Sequence, residues 1–227
     1  MPSADLGSFL NRPVVINKTV WQEGSAKVYQ FDPWRLFLNK STTLKKTEGY
    51  KLWRGTLKVK FLVNASPYQY SALQVSYKPL AVTRNDPANF MRDEINDFSG
   101  GAVLTGGYGA TTDPRWHQAL MARSLRPSTM LYPHLCEGGD LSLPFVWHED
   151  WASFPYGAPL GEDYLAMGVI TVQSVTPLRS CSGSVGSPAE LTILAWMEDV
   201  ELTAPTLTPQ SIFFNTPAKV VSDIAKS

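Results

Sequence analysis

RGTLKVKFLVNASPYQYSALQVSYKPL, residues 54–80, alternates apolar and polar side chains in two runs separated by one turn-like patch. Successive side chains of a strand point to opposite faces. The first run therefore sets Leu57, Val59, Phe61 and Val63 on one side and Thr56, Lys58 and Lys60 on the other. The second sets Leu73, Val75 and Tyr77 against Gln74, Ser76 and Lys78. Between them, NASPYQY supplies turn formers. Two such strands, each with one face packed and one face wet or against a neighbour, are the signature of antiparallel sheet.

The same period recurs on both sides of this ribbon. Residues 14–22 are rich in β-branched side chains and end at Trp21 and Gln22. Residues 26–32 separate Val28 and Gln30 from Tyr29 and Phe31. Further strands are expected at 127–133, 139–149, 167–176 and 189–203. In 139–149, Leu141, Leu143, Phe145 and Trp147 share a face, and Pro144, which has no N–H to donate, places that strand at a sheet edge. In 189–203 the apolar face runs through Leu191, Ile193 and Ala195 and then changes parity to Val200 and Leu202, which predicts a bulge or contacts on both faces. A short polar helix is expected over 41–48, with Ser41 as its cap and Gly49 at its C-terminal end. Eight strands with one helix between the second and third, and Pro/Gly/Asn-rich turns, predict an all-β, two-sheet jelly roll.

No internal repeat or linker divides the chain before about residue 204. The expected organisation is an N-terminal extension over 1–13, a jelly-roll domain over 14–204 and a C-terminal extension over 205–227. In the last, Val220, Val221, Ile224 and Ala225 share one side of a small amphipathic helix that would need a surface to dock on. Residues 81–124 form a long excursion, and loops of that length usually carry function or interaction.

The chain has 227 residues, of which 18 % are charged and 44 % hydrophobic. The charged share is below the usual quarter, so much of the surface is expected to be neutral or covered by partners. Lysines and arginines total 20 and so do aspartates and glutamates, which argues against a strong, sequence-independent grip on nucleic acid. Cys136 and Cys181 are too few for a disulfide framework and stand in no zinc spacing. No apolar run reaches the ~18 residues of a membrane span, and the N-terminus lacks the pattern of a signal peptide.

Five stretches carry a resemblance: FLNRPVVINKTVW, FDPWRLFLN, YKLWRGTLKVKFLVNASPYQYSALQVSYKPL, LRPSTMLYPHL and GDLSLPFVWHEDW. In this order they resemble the capsid proteins of picorna-like positive-strand RNA viruses (Picornavirales), nearest to the dicistrovirus and marnavirus branches, over about residues 9–205. The resemblance implies strand names: B at 14–22, C at 26–32, D at 52–64, E at 71–79, F at 127–133, G at 140–148, H at 167–176 and I at 189–203. It implies sheets in the orders BIDG and CHEF, with G at an edge and the apolar side of D facing the other sheet. It further implies a structural, non-enzymatic subunit. That subunit would join two sister jelly-roll proteins and symmetry copies of itself in an icosahedral pseudo-T=3 shell around a single-stranded RNA genome. The particle would be assembled in the host cytoplasm and could meet a host receptor.

Candidate sites are sparse. Lys58, Lys60, Arg115 and Arg123, with Trp116, are candidates for weak, non-specific RNA contact or for an inter-subunit seam, and Lys45 and Lys46 join them as cations. Asn96-Asp97-Phe98 is similar to the Asp-Asp-Phe motif linked to autocleavage in dicistrovirus capsids, but Asn replaces the first carboxylate, and an ordinary capped loop is the simpler reading. His117, His134 and His148 show no ligand spacing, no GxSxG elbow is present, and GGAVLTGGYGA lacks the Lys-Ser/Thr of a phosphate loop. No catalytic residue, metal site or cofactor is expected. The alternatives are a carbohydrate-binding, lectin-like jelly roll, which would need a sugar or calcium cluster, and a cupin-type enzyme, which would need clustered histidines.

Overall fold

A computed structural model describes residues 6–24, 28–80, 103–105, 120–154, 167–181 and 188–205. The alternation of the opening ribbon becomes β3 (Tyr50–Asn64), whose odd-numbered side chains from Trp53 to Val63 are buried and whose even-numbered ones face outward. It sits inside an antiparallel sheet with β1 (Val14–Trp21), β12 (Ala189–Pro205) and β8 (Gly139–Leu143), in the order β1–β12–β3–β8, while β9 (Ala152–Ser153) pairs with the far end of β3. The second sheet has the order β6–β2–β10–β5–β7, built from β6 (Val103–Thr105), β2 (Val28–Phe31), β10 (Gly168–Ser174), β5 (Leu73–Pro79) and β7 (Ser128–Leu131). A small pair of β4 (Gln69–Tyr70) and β11 (Arg179–Ser180) stands apart. The two main orders are BIDG and CHEF, with β6 added beside strand C.

The two sheets face each other across one apolar core. Leu57, Val59 and Phe61 of β3, Ile193 and Ala195 of β12, Tyr29 and Phe31 of β2, and Val75 and Tyr77 of β5 fill it at 1 % exposure or less. Apart from Ala195, side chains of this size each contribute roughly 1.5–3 kcal/mol when fully buried. Strand G lies at the edge, and it stops at Leu143, one residue before Pro144. Beyond it Phe145 and Trp147 still pack on the core, although not as ladder residues. The parity change in the last strand is a bulge: the register against β3 slips between Glu198 and Glu201.

Four expectations need correction. The helix near residue 41 is α3 (Ser41–Thr47), but its N-cap is Lys40, which makes no side-chain cap bond, and its C-cap is Glu48 rather than Gly49. A second helix, α2 (Pro33–Leu38), precedes it, begun by the Asp32 carboxylate, which accepts from the Arg35 amide, and by Pro33 in its first turn. Val103–Thr105 is a strand within the stretch read as loop. Finally, Gln74 and Ser76 do not lie on a wet face: they are 6 % and 2 % exposed.

That last point describes a whole layer. Gln30, Thr171 and Ser76 are register partners across three strands, Gln173 and Gln74 form the next row, and all five are buried. Gln30 donates to Thr171 Oγ1 at 3.3 Å. The guanidinium of Arg123, on a helical turn at 120–124, donates to Gln173. Over β2, β10 and β5 the outer face of the second sheet is therefore a covered polar layer, while Ser128 and Met130 of β7, in the same rows, are exposed, and the first sheet keeps an open outer face.

Candidate subunit interface

The open face of the BIDG sheet is built by the even-numbered residues of β3 and their partners. One row crosses all four strands: Val15, Leu194, Lys60 and Asp140 are successive register partners. Lys60 Nζ lies 3.8 Å from Asp140, its partner on the edge strand. Lys58 Nζ lies 3.5 Å from Glu198, which also accepts from the Trp196 indole at 3.0 Å, and Lys18 lies 3.3 Å from Glu190. Cross-strand neighbours of opposite charge stabilise a sheet by a few tenths of a kcal/mol. Here they also cancel the charge of the face.

Between these pairs stand exposed apolar side chains: Val15 (39 %), Val20 (45 %) and Leu62 (40 %). Of the residues expected to contact RNA or a neighbour, Lys58 and Lys60 thus fall together on one charge-balanced, partly apolar face. Arg123 falls elsewhere, buried under the second sheet. Arg115 and Trp116 lie outside the described residues, as do Asn96-Asp97-Phe98, His117 and most of the glycine patch.

One end of the sandwich gathers four connections. Gly24 donates to Leu178 O at 2.7 Å, Ser180 N to Glu23 at 2.9 Å, Cys181 N to Tyr68 O at 3.0 Å, and Cys136 Sγ lies 3.2 Å from Ala65 O. This end exposes Tyr68, Tyr70 and Leu135. Its two thiols are free and exposed.

The opposite end is closed. Trp53 is ringed by Trp34, Phe145 and Phe154 at centroid distances of 5.5, 5.6 and 5.7 Å. Trp34 Nε1 donates to Tyr77 Oη, which donates to the Met167 carbonyl. Burial pushes the Tyr77 phenol up to about 12. Beside this network, burial raises the Asp32 carboxyl to about 7, against the lowering pull of the Arg35 and Trp34 amides and the Arg35 charge. No spacing in the sequence links Asp32, Trp34 and Tyr77 as a group. The FDPW tetrapeptide, an Asp cap followed by Pro, was the signal for α2.

Two histidines lie among the described residues, His134 and His148. His134 packs edge-on against Tyr132, and exposed His148 lies 3.7 Å from Glu149. Among the described residues no group of three or more His, Cys, Asp or Glu is placed to hold a metal, and no helix is long and apolar enough to cross a membrane.

No protein-family model and no curated protein matches the chain. Solved structures do. A chain in the structure of a marine algae virus of the order Picornavirales is 28 % identical, with a TM-score of 0.70 over 91 % of this chain and 78 % of that one. The native virion of Kashmir bee virus at acidic pH matches at 17 % identity and TM-score 0.65, over 91 % and 78 % of the two chains. The Israel acute paralysis virus pentamer matches at 17 % and 0.62, over 89 % and 96 %. At such identities the latter two speak for the fold. The similar structures are Picornavirales capsids, and this chain has their jelly roll.

Proposed function

We propose that this chain, a picorna-like capsid protein by its fold and likeness, joins two sister jelly-roll subunits and copies of itself in an icosahedral pseudo-T=3 shell around a single-stranded RNA genome. A capsid-subunit role is supported by the likeness to the marine algae virus structure along 91 % of the chain. The proposal extends to assembly in the host cytoplasm and to contact with a host receptor. The role is structural and non-enzymatic, carried by the jelly-roll domain over 14–204 with the flanking segments as extensions.

The observation that carries the assembly reading is the open BIDG face. Its charges are cancelled in pairs and its gaps are filled by Val15, Val20 and Leu62. A face of that kind meets a neighbour without leaving a buried unpaired charge, which would cost several kcal/mol. Lys58 and Lys60 accordingly serve an inter-subunit seam rather than RNA.

The test is Leu62→Asp with Lys60→Glu, co-expressed with the sister chains. The account expects a chain that folds, by circular dichroism and thermal melting, but enters no particle. Particles formed at wild-type yield would remove the seam from this face.

A further inference from the structure

We propose that the cations around α3, Lys40, Lys45 and Lys46 with neighbouring Arg12, form a contact surface for the phosphate backbone of single-stranded RNA. The inference rests on the capsid reading, since a shell around RNA supplies that partner.

The charge arrangement singles out this place. Lys18, Lys58 and Lys60 on the sheet each have a carboxylate within 4 Å. Lys40, Lys45, Lys46 and Arg12 have no ion pair among the described residues, and the last three are exposed. Between residues 30 and 50 the only carboxylates are Asp32 and Glu48, and Asp32 is fully buried. Within that window Lys40, Lys45 and Lys46 thus stand with a single exposed carboxylate, Glu48, on a chain whose net charge is zero. Lys46 Nζ lies 5.5 Å over the Phe9 ring of α1 (Leu6–Leu10), and Arg12, three residues beyond Phe9, donates its backbone N–H to the Phe9 carbonyl at 3.2 Å.

Helix stability does not explain the pattern. Lys45 and Lys46 in the last turn of α3 do complement the helix dipole. Lys40 stands at the other end, as an N-cap with no side-chain bond, where a cation opposes the dipole and Ser, Asp or Asn would be preferred. A seven-residue helix with lysine at both ends is better suited to an external polyanion than to itself.

The dimensions and chemistry agree. At 1.5 Å per residue Lys40 and Lys46 are separated by roughly 9 Å along the axis, so the flexible lysines at the two ends of the helix can reach different phosphates of one strand. Lysines are flexible point charges without the fixed fork of arginine, so the contact would be non-specific and held by phosphate alone.

Two measurements decide the matter. RNA–protein crosslinking in intact particles is expected to place nucleotide adducts on peptides carrying Lys40, Lys45 or Lys46. Adducts found only elsewhere, or crosslinks from these lysines to an acidic peptide of a neighbouring subunit, overturn the proposal. In solution, the full chain should bind polyuridylate in a salt-dependent manner. Each phosphate contact on a single strand contributes about 0.7 to the slope of log K against log salt, so Lys40→Gln with Lys45→Gln and Lys46→Gln should lower it by about 2. An unchanged slope in a folded triple variant overturns the proposal. If the wild-type chain enters no particle, the capsid reading fails, and polyuridylate binding alone then decides for or against this patch.

Discussion

The indole nitrogen of Trp34 donates to the phenol oxygen of Tyr77 at 3.2 Å, and that phenol donates onward to the Met167 carbonyl at 3.1 Å. These two bonds fasten α2, which follows strand C, to strand E and to the entry of strand H. They close the end of the sandwich that the Trp53 cluster fills.

Tyr77→Phe keeps the ring and removes both bonds. It leaves the Trp34 N–H without its acceptor in a buried place, where an unsatisfied polar group costs about 1–3 kcal/mol. Denaturant melts of the variant should show that loss with the m-value unchanged.

Gly168 is the close neighbour of the same phenol. Its φ is +156°, and a Cβ there would fall 2.3 Å from the Tyr77 oxygen and 2.6 Å from its ring. Gly168→Ala should therefore destabilise by at least the ~1–3 kcal/mol of an overpacked core. Thermal melting would reveal it as a lowered Tm, and an unchanged Tm would contradict the packing described.

Asp32 sets a pH dependence. Its carboxyl titrates near 7 in the folded chain, raised from 3.8 by burial. Between these values the folded state holds a proton that the unfolded state has released. Stability from this group is then complete below pH 4 and is lost as pH rises towards 7, at a limiting slope of about 1.4 kcal/mol per pH unit. Asp32→Asn keeps an oxygen for the Arg35 amide and should flatten that part of the Tm–pH profile. An identical profile in the variant would contradict the assignment.

The Lys60–Asp140 pair is half open to solvent, with side-chain exposures of 43 % and 67 %. Its coupling energy in a double-mutant cycle should stay below about 1 kcal/mol for the isolated chain and shrink in salt. A large coupling in the monomer would mean that the pair serves the fold rather than a seam.

The sequence made the strands legible because one face of each is apolar at a period of two, as in Leu57, Val59 and Phe61. It made the bulge near Glu198 legible through the change of parity. It misjudged Gln74 and Ser76 because alternation says which face is polar and not whether something covers it. It missed α2 because six residues are too short for a helical period, and only the Asp32–Pro33 start betrays it. Lys58 and Lys60 stand out in the sequence as cations, but their carboxylate partners sit on other strands, Glu198 and Asp140, which no local pattern links to them. The same ion pairs turn attention to Lys40, Lys45 and Lys46.

The most direct measurement is sedimentation of the native assembly with its absorbance ratio at 260 and 280 nm. The account predicts a fast-sedimenting, RNA-rich particle in which this chain is equimolar with two sister chains. A slow, stable monomer free of nucleic acid would contradict it.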